Sequence, residues 1–375
     1  MGDSSNPVVD RLRDTEARRL DLLGQIGAKR HSVVISYLTS TRPGVDIIGY
    51  EGHTSIHDED VAIVEEHVRA ARHMNAHNID LIVVTHGGSA AAPWDLVAMV
   101  REHLPHGHLR VILPSVAYSA GTAIAIGADE IVMGPNSILG PIDTQFGTKD
   151  GVRSASDFQG FMDLLSNQRI RGYRTREKTL DWLTSHTDAA GIGRLYRKWS
   201  EDRRQTELLL GSRRSRLSKS QNEKILRFVL YGVANHSQSI RRKEARASGI
   251  SFITDIEKTG VEPQITELFK IYEDILQLRT PLARRSQSLR MDPRVGDEDD
   301  VDASGVPVSD VPIAIVESQH DTNPAYVAYD QRHWNKVPGA ASVPAHSLQG
   351  EDGVSDLARH LDAGRAKWFS SRSRR

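Results

Sequence analysis

The chain has 375 residues, room for one large α/β domain or two small ones. Its 48 basic and 49 acidic residues nearly cancel, so nothing in the overall charge favours a polyanion, and no nucleic-acid partner is expected. The absence of cysteine excludes disulfides, thiolate metal sites and a cysteine nucleophile.

Residues 8–29 predict a helix, with Val9, Leu12, Leu20, Leu22, Leu23 and Ile26 spaced among charges. His31–Leu38 is β-rich and predicts a strand, and Asp46–Tyr50 a second. Asp58–Asn75 has helical spacing and an acidic start. Ile79–Thr85 is a short, continuous apolar run, the pattern of a strand buried on both faces. The loop His86-Gly87-Gly88-Ser89 follows. Then come a helix over Pro93–Leu104, a strand over Leu109–Leu113, a small-residue helix over Ser119–Gly127 and a strand over Glu130–Met133. Strands alternating with helices predict βαβ units around a mainly parallel sheet.

From about 155 to 245 the chain reads as helical and arginine-rich, a set of solvated faces rather than a polyanion site. Ile250–Thr254 predicts a closing strand and Glu262–Leu278 a helix. Residues 291–310 read as an acidic linker, Val311–Glu317 as an edge strand, and Ser370–Arg375 as a basic tail. The start of the chain lacks the basic and apolar regions of a signal peptide, and no apolar run reaches the ~20 residues of a membrane span. The expectation is a cytoplasmic protein, with any membrane association running through a partner.

Three segments carry the chemistry. Thr85-His86-Gly87-Gly88-Ser89 follows a buried strand and precedes a helix. Ala117-Tyr118-Ser119-Ala120-Gly121-Thr122 follows another strand and opens a helix. Gly134-Pro135-Asn136-Ser137-Ile138-Leu139-Gly140-Pro141-Ile142-Asp143 is the third. Each stands beyond the carboxyl end of a strand, where open parallel sheets bind ligands. Adjacent glycines let backbone N–H groups approach a substrate without a Cβ in the way. Such donors stabilise an oxyanion by about 2.7–4 kcal/mol where measured. A serine opening a helix has its hydroxyl near the positive dipole end. Taken alone, Tyr118-Ser119-Ala120-Gly121 equally fits a plain N-cap.

Together the three segments resemble the Clp-type and signal-peptide-peptidase-A superfamily of serine peptidases, and within it the serine dehydrogenase proteinase family. The resemblance is carried by IDLIVVTHGG, VILPSVAYSAGTAIAIGADEIVMG and NSILGPIDTQ. It implies an α/β fold, the ClpP/crotonase-like spiral of ββα units. On that basis residues 1–29 are an N-terminal helix, 30–280 the peptidase domain with a helical, Arg-rich insertion at 155–245, 291–310 a linker, and 311–375 a partly disordered C-terminal extension. The resemblance makes Ser119 the nucleophile. It makes the backbone N–H groups of Gly87, Gly88 and Ala120 the oxyanion donors. It implies an ATP-independent serine endopeptidase acting on peptides or unfolded protein, assembled as a homo-oligomer, with no cofactor.

A serine hydroxyl needs a base. The Clp-type pattern laid on Asn136-Ser137-Ile138 puts Ile142 where that family has histidine, which argues against its triad. Relatives in membranes pair serine with a lysine kept neutral by burial. Only 11 residues are lysine. Lys224, in Asn222-Glu223-Lys224-Ile225-Leu226, resembles the dyad segment, and on a helix it shares a face with Leu217 and Phe228. Lys219 and His236 are the alternatives, and Asp143 is a candidate orienting carboxylate. No G-x-G-x-x-G follows a strand, so dinucleotide binding is not expected. His53 and His57 at i, i+4 read as a loop before a helix rather than a metal site, since no H-E-x-x-H accompanies them. A crotonase-like acyl-CoA enzyme and an inactive scaffold of the same fold are the competing readings.

Overall fold

The structure, a computed structural model, describes residues 7–42, 54–143, 145–148, 151–154, 189–231, 238–279, 314–319 and 326–328. The elements run α1 (Pro7–Arg30), β1 (Val33–Thr39), α2 (Asp60–His73), β2 (Asn78–Val84), α3 (Ala92–His103), β3 (His108–Leu113), β4 (Val116–Ala117), α4 (Ala120–Gly127), β5 (Glu130–Met133) and β6 (Ile138–Leu139). A hairpin of β7 (Gln145–Thr148) and β8 (Gly151–Ser154) follows. The arginine-rich region contributes α5 (Ala189–Gly211) and α6 (Lys219–Tyr231). Then come β9 (Ile240–Arg241), α7 (Arg242–Ala247), β10 (Ile253–Asp255), α8 (Glu262–Ile275), β11 (Ala314–Ser318) and β12 (Tyr326–Ala328).

The main sheet has seven strands in the order β10-β5-β3-β2-β1-β11-β12. The pairs among β10, β5, β3, β2 and β1 are parallel, while β11 and β12 add antiparallel. A smaller sheet, β4-β6-β9, stands beyond the carboxyl ends of the main strands. Side-chain alternation divides the apolar strand residues between two cores. Val33, Ile35, Leu81, Val83, Val111 and Leu113 face α2, α3 and α4. Val34, Leu38, Ile82, Val84 and Ile112 face α1 and α8. Both faces are therefore covered, and this explains the unbroken apolar runs.

The amino ends of the strands are held by charge. Asp80, fully buried at the start of β2, accepts from Arg30 and Arg110 at 2.5 Å each and from Ser32 at 3.0 Å. Arg30 also reaches Glu130 at 3.0 Å. Both lone-pair directions of the carboxylate are thus used, which burial of a charge requires. The carboxyl ends are left to the glycine-rich turns.

Two expectations change. The strand over Val311–Glu317 is observed as β11, and it lies inside the sheet, between β1 and β12. All five of its residues are buried. Glu317 pairs with Arg19 of α1 at 2.9 Å, with both side chains buried, and the Tyr272 hydroxyl stands 2.6 Å from the same carboxylate. The strand over Ile250–Thr254 shifts to Ile253–Asp255 and pairs parallel with β5. Asp46–Tyr50, the acidic linker 291–310 and the basic tail lie outside the described residues. Among the described residues no helix is long and apolar enough to cross a membrane.

Candidate active site

The site is assembled where β2 and β4 end side by side. Thr85 bridges Ala117 in parallel: its N–H donates to Val116 O and its carbonyl accepts from Tyr118 N–H, each at 3.0 Å. The buried Thr85 hydroxyl meets Thr39 Oγ1 at 2.9 Å and accepts the Gly87 N–H at 3.0 Å. The Gly-Gly turn then swings away with φ of 120° at Gly87 and 149° at Gly88, backbone that L side chains rarely adopt.

Residues 54–57 buttress the outer side of that turn. Ile56 N–H donates to Gly87 O and Ser89 N–H to Ile56 O, both at 2.8 Å. In this parallel bridge Gly88 is the residue whose own N–H and C=O face the other way, off the buttress. A Cβ on Gly88 would fall on the Ile56 backbone, 2.8 Å from its Cα. Gly87 and Gly88 therefore differ. The Gly87 N–H is engaged by Thr85, while the Gly88 N–H points off the bridge.

Ser119 opens α4 with φ 49° and ψ −110°. This is far from the left-handed helical well, where ψ is positive, and such backbone costs on the order of 1–3 kcal/mol. The serine does not repay it by capping the helix, since its side chain makes no cap hydrogen bond. That removes the N-cap explanation that the sequence left open. The neighbours impose the conformation. Gly121 N–H donates to Tyr118 O at 2.9 Å and Ala123 N–H to Ser119 O at 3.0 Å. The buried Thr122 hydroxyl stands 2.7 Å from Ala117 O and 2.8 Å from Gly140 O, which fastens the third segment to α4. All eight residues of α4 are buried. Gly121 faces Thr85 so closely that a Cβ would stand 2.5 Å from Thr85 Cγ2. Ala120 is the first helical residue, so its N–H has no acceptor within the helix.

The candidate residues separate into two groups. Gly87, Gly88, Ser119 and Ala120 come together: a Cβ on Gly87 would lie 2.9 Å from Ser119 Cβ and 3.5 Å from its Oγ. Lys224 is exposed on α6, and its amine donates to Ala247 O at 2.8 Å. Its expected inward direction is not what α6 adopts, because that helix buries Ile225, Leu226, Val229 and Leu230, and Lys224 lies at the border of their stripe. Lys219, at the first turn of α6, is also exposed. His236 and His53 lie outside the described residues, and His57 is exposed. Asp143 is buried, one residue beyond Ile142, whose N–H donates to Val229 O at 2.8 Å. Ile142 itself packs against the core. Among the described residues no group of three His, Asp or Glu could hold a metal.

Sequence reasoning placed Thr85 and His86 in the glycine segment without a role for either side chain, and it missed Ile56 as part of the site. His86 is exposed, and its ring meets the Tyr118 ring edge-on, with centroids 5.8 Å apart and planes at 62°. Tyr118 also packs on Gly140, and its hydroxyl stands 3.1 Å from Ser239 Oγ. The buried carboxyl of Asp60 lies under the buttress, where it accepts from His57 N–H at 2.9 Å and Tyr37 O–H at 2.5 Å. Burial pushes this carboxyl above the usual range, although both donors oppose the shift.

Residues 6–155 match the family model described as ClpP-like SDH-type serine proteinase. Two curated relatives are similar, both uncharacterized proteins of Methanocaldococcus jannaschii. MJ0137 is 33% identical over 135 residues, which are 36% of this chain and 46% of the relative. MJ1495 is 44% identical over 69 residues, which are 18% of this chain and 23% of the relative. The chain thus spans less than half the length of either. Among solved structures, a mutant of the 1510-N membrane-bound stomatin-specific protease in complex with a substrate peptide has 17% identity and a TM-score of 0.35. It covers 54% of this chain and 73% of its own. ClpP1 from Listeria monocytogenes has 15% identity and a TM-score of 0.31, covering 55% of this chain and 90% of its own. The family the sequence resembles is the family whose model matches, and the mixed α/β, ClpP-like fold stands with it.

Proposed function

We propose, starting from the ClpP-like SDH-type serine proteinase pattern of residues 6–155, that the chain is a serine peptidase working through an acyl-enzyme on Ser119. The observation that carries this reading is the strained Ser119 backbone at a strand–helix turn, with a hydroxyl that does not cap the helix. Strain of this kind persists where the surroundings over-determine it, and it gathers at sites of function. Ser119 Oγ attacks the scissile carbonyl carbon while its proton passes to a base. The C–N bond then breaks, and the amine leaves with that proton. Water attacks the ester, releases the acid and restores the hydroxyl. Gly88 and Ala120 N–H groups are the oxyanion donors, and Gly87 shapes the turn with its N–H spent on Thr85.

We assign the base to His236, with Asp143 as its orienting carboxylate. An amine needs burial to be neutral near pH 7, and Lys224 is exposed. Imidazole needs none. Ser239, three residues beyond His236, meets Tyr118 beside the nucleophile, and Ile142 beside Asp143 meets the last turn of α6. The Ser-Lys pairing through Lys224 is the alternative that substitution separates. The substrate class is peptide or unfolded protein, cleaved internally without ATP by a homo-oligomer.

The test is labelling of the intact chain with a fluorophosphonate, followed by mass mapping of the adduct. A single adduct on Ser119 is the expected result. No adduct would overturn the peptidase reading in favour of an acyl-CoA enzyme or a scaffold.

A further inference from the structure

The last backbone tie between the glycine turn and the serine turn is the Thr85–Ala117 bridge. Beyond it the two chains keep the same register without hydrogen bonds between them among the described residues. His86 stands against Tyr118 ring to ring, and Gly87 stands against Ser119 with no room for a Cβ. The Gly87 carbonyl and the Ser89 N–H are committed to Ile56, on the far side. Gly87 and Gly88 have no side chains with which to hold their own place. Thr85 holds the Gly87 N–H from within the bridge, and beyond the bridge the His86 ring is the side chain that meets the nucleophile's chain, at Tyr118. Its partner is itself anchored: Tyr118 lies on Gly140 and meets Ser239 at 3.1 Å.

We propose that His86 is a positioning residue: its ring, clasped edge-on to Tyr118, sets the distance between the Gly88 N–H and Ser119. The proposal rests on the serine-peptidase reading above. An oxyanion donor must be held within about 0.5 Å of its productive place, and a displacement near 1 Å costs up to about a hundredfold in rate. One exposed ring contact matters here because it acts at the point where the backbone ladder has ended. The clasp predicts that ring shape and contact carry the effect.

The experiment measures fluorophosphonate inactivation of the full chain, resolved into kinact and KI, with thermal melting alongside. In His86→Ala, kinact should fall about tenfold while KI stays within about twofold, because the donor acts on the transition state rather than on binding. His86→Phe keeps an edge-to-face partner for Tyr118 and should stay within about threefold of the parent. His86→Leu, similar in bulk but without a ring, should behave like His86→Ala. It gives the same comparison with His86→Phe if the alanine variant does not fold. A parent-like kinact in His86→Ala or His86→Leu would overturn the clasp, as would an equal loss in His86→Phe or a loss confined to KI. Failure of the parent chain to label at Ser119 would overturn the peptidase reading, and the clasp with it.

Discussion

Gly87 faces Ser119 so closely that a methyl group on the glycine would stand 2.9 Å from the serine Cβ, a separation that real Cβ atoms essentially never show. The turn and Ser119 therefore constrain each other. Gly87→Ala should fold with a loss of on the order of 1–3 kcal/mol, because φ of 120° is also closed to alanine. It should lose most turnover. Chemical denaturation and fluorophosphonate labelling read the two effects separately. Unchanged labelling would mean that the turn is not tied to the serine.

Ser119→Ala should abolish hydrolysis and leave stability nearly unchanged, since no cap bond is lost. Ser119→Gly should also be inactive, yet more stable by about 1 kcal/mol. Glycine relieves the strain and gives back part of that gain through the entropy of its unfolded state. Urea unfolding of the two variants checks this. A glycine variant less stable than the alanine one would show that the backbone at 119 is not strained.

The base assignment is tested by a pair of substitutions. His236→Gln should remove activity, and the parent's rate should rise with pH through a limb on the acid side of neutrality. Lys224→Arg keeps the charge, and should keep its bond to Ala247 O and most turnover. The opposite pattern, with a limb at alkaline pH, would restore the Ser-Lys pairing, because guanidinium cannot act as a base in a protein.

The Asp60 carboxyl is raised by burial, so ionisation works against folding. The sign follows from linkage: a group with a raised folded pKa favours the fold at low pH, and that contribution is lost as pH climbs through the folded value. Asp60→Asn keeps an oxygen to accept from Tyr37 and His57 while removing the charge. At pH 7 it should be at least as stable as the parent, with the difference shrinking as pH falls toward 4. Melting curves over that range decide it. A variant that is less stable at pH 7 would show that the ionised carboxylate is needed.

Much of this was legible in the residues, and the exceptions have physical causes. Ile79–Thr85 and Leu109–Leu113 read as strands because both faces are buried, and they appear as Asn78–Val84 and His108–Leu113. The two-residue strands β4, β6 and β9 have no periodicity to read. The interior place of β11 depends on β12, which pairs on its outer side. Tyr118-Ser119-Ala120-Gly121 has the composition of a cap, and its distinguishing feature is a pair of torsion angles that composition does not encode. Lys224 sits one position outside the apolar stripe of α6, and a pattern of spacings cannot separate border from interior.

Glu317 lies 298 residues after Arg19, and the pair is buried. Glu317→Gln removes the carboxylate charge from this buried pair and should cost about 3–5 kcal/mol, as measured by denaturant unfolding. A change below 1 kcal/mol would show that the pair carries little of the fold.

That separation also sets a timetable for synthesis. Strand β1 ends at Thr39, but the neighbour that covers its outer edge begins only at Ala314. While the ribosome works through everything between, β1 presents an unpaired edge, and α1 holds an arginine without its counter-charge. The nascent chain therefore carries the Gly87-Gly88 turn and the Ser119 turn long before its sheet is closed. It is most open to mispairing and aggregation in that interval.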